Sequence, residues 1–166
     1  MSTVAIAAAL LAGTAAAQEP GSRQTRDYVQ AAGESDTFEI MEAQSALAES
    51  KDPDVLAFAR QMIHDHGETS RALRDATASA GLKPPPMAVS ESQAPFLAAL
   101  QSLRGQEFDR GYWRQQALSH RSALVTTQLY AATGDAPAVR QAAAAALPVI
   151  QSHLAMAEQM SAKLGG

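Results

Sequence analysis

The chain contains no cysteine. Disulfide frameworks, thiolate nucleophiles, a lipid-accepting cysteine and sulfur-ligated metal sites are therefore excluded, and any ligation must use nitrogen and oxygen donors. Aromatic side chains are scarce as well, with four Phe, three Tyr and one Trp among 166 residues. Strands favour aromatic and β-branched residues, whereas the 46% hydrophobic share here is swollen by Ala, the best helix former. Excess basic charge is also missing. Thirteen Lys and Arg stand against 17 Asp and Glu, a net charge of -4 with no basic cluster, so the chain offers no phosphate-binding surface and nucleic acid is not expected as a partner. What remains is the profile of one Ala-rich, all-α globular domain.

Met1 to Ala17 carries no charge, runs apolar from Val4 to Ala12, and ends in Ala15-Ala16-Ala17. This is the pattern of a secretory signal peptide, 1–17, cleaved after Ala17. A membrane anchor is the competing reading, but the apolar run falls short of the ~20 residues that span a bilayer. The mature chain is expected in the periplasm or otherwise exported, with no spanning segment. Residues 18–26 are expected to be flexible and 27–164 to form the folded domain. Neither a partner protein nor homo-oligomerisation is specified by the sequence.

Helix boundaries are legible from their stop and start residues. Asp52-Pro53 is an N-cap followed by proline at the first helical position, so one helix ends near Ser50 and the next begins at Pro53. Gly81 and Lys83-Pro84-Pro85-Pro86 close that second helix. Ser90 with Gln93 resembles a capping box before a short apolar helix, 94–103, expected to cap one end of the core. Gln106 to Thr133 is helical again, Gly134 stops it, and Asp135-Ala136-Pro137 opens a last helix to about Lys163. The expected architecture is a ferritin-like, up-down-up-down four-helix bundle with a short extra helix in the connection between its hairpins.

Heptad spacing selects the inward residues. Val55, Ala59, Met62, His66, Thr69, Leu73, Ala76 and Ala80 form one seam; Val139, Ala143, Ala146, Ile150, His153, Ala157, Met160 and Leu164 form another. Trp113, Ala117, His120, Leu124 and Thr127 form a third, and Ala32, Asp36, Glu39, Ala43 and Ala46 suggest the inner face of the first helix. Counted at 1.5 Å per residue from the turns near 51 and 134, taken to lie at one end, Glu39 sits roughly 19 Å down, His66 and His120 roughly 22 Å, and His153 roughly 28 Å. Pro148, five residues before His153, is a source of bending.

Three imidazoles and a carboxylate suit a divalent metal ion such as zinc, iron, copper or manganese, so Glu39, His66, His120 and His153 are candidate metal ligands. The alternative is that each is a core histidine bonded to a carbonyl or carboxylate. Asp65 and Asp109 are candidates to support ligand imidazoles from behind, or else to pair with nearby arginines. His64, two residues from His66, is expected to face outward.

Other chemistries find no support. Residues three before His66, His120 and His153 are Ile63, Ala117 and Ile150, so the paired Glu-x-x-His signature of di-iron carboxylate sites is absent. There is no nucleophile elbow and no glycine-rich phosphate loop. An accessory role is thus expected in preference to a turnover enzyme.

The segments Phe58-Ala59-Arg60-Gln61-Met62-Ile63-His64-Asp65-His66, Gly105-Gln106-Glu107-Phe108-Asp109-Arg110-Gly111-Tyr112 and Leu147-Pro148-Val149-Ile150-Gln151-Ser152-His153, in that order, resemble the bacterial domain-of-unknown-function family 4142. The similarity covers about residues 27–160. It implies an exported ferritin-like bundle, of a kind often labelled as an outer-membrane protein, and supplies no established activity. The family pattern falls on Glu39, Asp65, His66, Phe108, Asp109, His120, Pro148 and His153. The joint expectation is a metal-binding, stress-associated accessory protein, or else a metal-free structural or interaction module of the bacterial envelope.

Overall fold

The structure, a computed structural model, describes residues 21–164. The segment read as a signal peptide lies outside the described residues. Helices are α1 (Arg23–Glu49), α2 (Pro53–Ser79), α3 (Ala94–Ser102), α4 (Gly105–Thr133) and α5 (Pro137–Lys163), and the described residues contain no strand. The chain is all-α, as its composition implies.

The boundaries follow from local chemistry. Asp52 accepts at 2.8 Å from the Asp54 amide and at 3.2 Å from the Val55 amide, with Pro53 opening α2. At the other end, Gly81 takes φ +66°, Leu82 N–H donates to the Thr77 carbonyl and Gly81 N–H to the Ala78 carbonyl. That is a Schellman closure, which a residue with a Cβ would make with strain. Ser90 and Gln93 form the reciprocal bonds expected of them, Gln93 N–H to Ser90 Oγ at 3.2 Å and Ser90 N–H to Gln93 Oε1 at 3.3 Å. Helix α1 starts at Arg23, four residues before the expected 27, because Ser22 caps it by accepting from the Thr25 amide.

Helix directions correct one expectation. Ser22 Oγ donates to Asp135, which places the start of α1 beside the α4–α5 turn, whereas Ser50 Oγ donates to Asp109, which places the end of α1 beside the start of α4. The two short turns therefore lie at opposite ends, and the four long helices run up-down-down-up rather than up-down-up-down. The reason is the long crossover: it leaves the far end of α2, packs Pro85 and Pro86 against Gly33 of α1, and carries the chain back along the bundle. Helix α3 lies in the α1–α4 groove on that return path, with Gln101 Nε2 donating to Ser45 Oγ and Gln115 Nε2 to the Phe96 carbonyl. It covers a groove rather than capping an end.

Two apolar clusters fill the bundle. One gathers Val55, Phe58, Met62, Phe108, Tyr112, Trp113 and Met160 near the α1–α2 turn; the other gathers Tyr28, Val29, Leu73, Tyr130 and Val139 near the α4–α5 turn. Between them lies a buried polar layer that includes Asp36, Glu39, Glu42, His66, Gln116, His120 and His153. Buried polar groups in such a layer need hydrogen-bond partners, because leaving them unpaired is costly.

Candidate metal centre

Three helices each deliver one imidazole to this layer. His66 of α2, His120 of α4 and His153 of α5 are buried, and their ring centroids are 5.3 to 5.6 Å apart. One ring nitrogen from each lies within 4.8 Å of those of the other two. The seam spacing explains the inward aim; His66 and His120 sit within one residue of the midpoints of α2 and α4, and His153 three residues beyond that of α5. Reversing a hairpin leaves a midpoint where it was, so the three meet although the turns lie at opposite ends.

Every ring has one nitrogen tied and one bare. His66 Nδ1 is 2.8 Å from Asp36 Oδ1, His120 Nδ1 is 2.8 Å from the Gln116 carbonyl, and His153 Nε2 is 2.9 Å from Asp65 Oδ2. Each of these partners accepts, which fixes the N–H on the tied nitrogen and leaves a lone pair on the other. The remaining nitrogens, His66 Nε2, His120 Nε2 and His153 Nδ1, are buried and make no hydrogen bond within the protein.

The electrostatics favour the neutral ring at His153 and His120. Burial, reinforced by the neighbouring imidazoles His66 and His120, pushes His153 down to about 4. Burial also holds His120 below its ordinary value despite Glu39 nearby. His66 differs: burial pushes it down, but its hydrogen bond to Asp36 and the charges of Asp36, Glu39 and Asp65 outweigh this and raise it.

The family model described as Domain of unknown function (DUF4142) matches residues 10–160. The chain belongs to the DUF4142 family. None of the curated proteins matches it. Among solved structures it is similar to the crystal structure of a DUF305 fragment from Deinococcus radiodurans, with a TM-score of 0.72 at 19% identity over 88% of this chain and 98% of that one. At that identity the likeness speaks for the helical fold alone.

Other residues singled out in the DUF4142 sequence are placed differently. Glu39 is fully buried but stands behind His120, its Oε1 3.8 Å from the tied Nδ1, and is not brought into the convergence. Both its oxygens are engaged: Ser119 Oγ donates to Oε1 and Gln116 Nε2 donates to Oε2 at 2.6 Å. Asp65 does back a ligand candidate, His153, and also binds exposed His64 at 2.9 Å. Asp109 does not: its carboxylate takes the Ser50 hydroxyl at 2.6 Å, where α4 begins beside the α1–α2 turn, half a helix away from the histidines.

Three contributors escaped the sequence reading. Asp36 was visible on the inner face of α1, yet its role as acceptor for His66, Thr69 and Ser70 depends on which neighbour α1 packs against. Gln116 lies one position off the α4 seam, and its amide bridges Glu39 and Glu42, the latter at 2.8 Å. Burial, then the charge of Glu39, pushes the Glu42 carboxyl well above its ordinary value. Glu39 and Glu42, three residues apart on one helix, were the available signal.

Proposed function

We propose that this DUF4142 protein is an exported helical bundle that holds a divalent first-row metal ion through His66 Nε2, His120 Nε2 and His153 Nδ1. The observation that carries this reading is that three buried imidazoles bring one nitrogen apiece within 4.8 Å of one another, and each has one nitrogen tied to an acceptor and the other unbonded. A buried acceptor left without a partner costs about 1–3 kcal/mol, and three such atoms facing one point share one remedy, a common cation. Histidine ligands characteristically donate their second N–H to a carboxylate or carbonyl, which is the arrangement of Asp36, Gln116 and Asp65. The carboxylates of Asp36 and Asp65 also offset a dication's charge. Because Glu39 stays outside the donor set, the site offers imidazole nitrogen alone, which favours zinc, copper or iron over manganese.

When bound, such an ion supplies a Lewis-acid centre with coordination left over beyond its three protein donors. The chain's residues supply the rest: Asp36, Asp65 and the Gln116 carbonyl orient the rings. Export rests on the Met1 to Ala17 pattern, and a metal-holding, stress-associated accessory role suits it better than turnover.

The test is elemental mass spectrometry on protein produced with its N-terminal segment and recovered from the periplasm, beside the double variant His66→Ala, His120→Ala. About one metal per chain in the parent and none in the variant is expected. Absence of metal in the parent after reconstitution with zinc, copper and iron(II) overturns the reading in favour of a metal-free structural module. A mature N-terminus at Gln18 is the expected mark of export, and retention of Met1 in the cytosolic fraction overturns that part.

A further inference from the structure

A cleft of about 900 Å³ lies in the half of the bundle between the histidines and the α4–α5 turn, and His66 is one of its walls. All four long helices line it, with Ser90, Gln93 and Phe96 of the crossover at one side. Its origin is in the sequence. Eight alanines face it, among them Ala142, Ala143, Ala145 and Ala146 of one run on α5, where Leu or Ile would fill the space. The volume falls in the upper range of sites that enclose a small organic molecule.

The walls say what kind of molecule. They are mostly apolar, they include four carboxylates, Glu34, Asp36, Asp65 and Glu68, and they include no Lys or Arg. An anionic ligand would meet repulsion with no counter-charge. His66, one of the cleft's walls, has a buried Nε2 that makes no hydrogen bond within the protein. A neutral azole nitrogen heterocycle meets both requirements there: it offers a lone pair to an ion held at His66, and an N–H to the His66 ring when no ion is held.

We propose that this cleft is a binding site for a largely apolar molecule bearing a neutral azole-type nitrogen, inserted with that nitrogen toward His66. In its metal-dependent form this rests on the metal-holding reading above, and the experiment separates the two. The protein is titrated with cobalt(II), whose visible spectrum reports coordination, and then with 4-phenylimidazole, imidazole and benzoate in turn. Saturable spectral change is expected with 4-phenylimidazole at about tenfold or more lower concentration than with imidazole, because the phenyl ring is buried in the cleft, and none with benzoate. Ala146→Phe should abolish that preference while cobalt stoichiometry stays unchanged; Ala123→Leu, on the facing α4 wall, serves if the first variant does not fold.

Cobalt binding with no preference for 4-phenylimidazole over imidazole, or a preference that survives both fillings, overturns the cleft and leaves the metal reading standing. Where cobalt does not bind, the metal reading is decided by the zinc, copper and iron(II) reconstitution above. The cleft is then judged by calorimetry of 4-phenylimidazole with the metal-free protein: binding that Ala146→Phe or Ala123→Leu removes sustains it, and no binding overturns it.

Discussion

Asp65 and His153 sit on different helices, and the 2.9 Å bond between Asp65 Oδ2 and His153 Nε2 ties α2 to α5 at the level of the histidine cluster. Asp65 immediately precedes His66, so successive residues of one helix serve two rings: His66 enters the layer directly and Asp65 aims His153 from behind. Burial alone would raise the Asp65 carboxyl, but hydrogen bonds from His64, His153 and Gln61 reverse this and hold it below its ordinary value. It is therefore an ionised acceptor at neutral pH.

Replacing Asp65 by Asn should weaken metal affinity about 10–100-fold, since the His153 ring loses its charged acceptor while the three donors remain. Asp36→Asn should act similarly through His66. Asp109→Asn should leave affinity unchanged, because that carboxylate serves Ser50. Competition titration against a chromogenic chelator reads all three, with unchanged helicity as the control.

The contrast between Asp65 and Asp109 marks how far the sequence could be read. Both are acidic residues near a candidate site in the family pattern, and one-dimensional spacing does not distinguish them. The seams placed His66, His120 and His153 inward because a heptad fixes the face each residue presents, and the mid-helix positions of His66 and His120 made their level insensitive to helix direction; His153, counted about one turn deeper, joins them all the same. Direction itself was hidden: short loops dictate that α1 opposes α2 and α4 opposes α5, but they say nothing of how the hairpins are joined. A crossover long enough to return along the bundle decides that, and its return set Gly33 against Pro85 rather than leaving it exposed. Glu39 shows the same limit at the scale of one side chain, since an inward position did not reveal that Gln116 and Ser119 would hold its oxygens.

In the metal-free protein the histidines should make stability fall in acid. A histidine near 6.5 in the unfolded chain and near 4 when folded is neutral in both states above about pH 6.5 and contributes nothing there. Below that the unfolded chain takes up a proton that folded His153 resists, so stability declines as pH drops toward about 4. His120, also lowered, acts in the same direction, whereas raised His66 opposes them by stabilising the fold in acid. Urea midpoints measured between pH 7 and pH 5 in chelator should fall for the parent. The slope should be shallower for His153→Gln and steeper for His66→Gln.

Two glycines on long helices should respond oppositely to alanine. A Cβ at Gly33 would stand 2.6 Å from Pro85 Cβ and 2.9 Å from the Pro86 carbonyl, so Gly33→Ala must push the crossover off α1. A Cβ at Gly67 would meet nothing within 4 Å. Gly67→Ala should therefore stabilise by about 0.5–1 kcal/mol through helix propensity alone, and Gly33→Ala should destabilise by about 1–3 kcal/mol through overpacking. Thermal melts of the two variants decide this, and equal shifts would contradict the packing of Pro85 and Pro86 on α1.

The far end of the bundle is held by a relay that starts in a segment the sequence left as flexible. Tyr130 stacks on Tyr28 with ring centroids 4.1 Å apart, and its hydroxyl lies 2.6 Å from Thr25 Oγ1, which in turn donates to Asp135 at 2.5 Å. With Thr25 committed to Asp135, the Tyr130 hydroxyl is the donor of the first bond. Thr25→Val keeps the shape but leaves that buried hydroxyl without an acceptor and should cost about 1–3 kcal/mol, whereas Tyr130→Phe removes the need for one and should cost about 0.5–1.5 kcal/mol. Because Tyr130→Phe removes the hydroxyl that Thr25→Val leaves unpaired, the double variant should be no less stable than Thr25→Val alone. Additive losses in urea unfolding would show that the two hydroxyls act separately and that α1 is not anchored through Thr25.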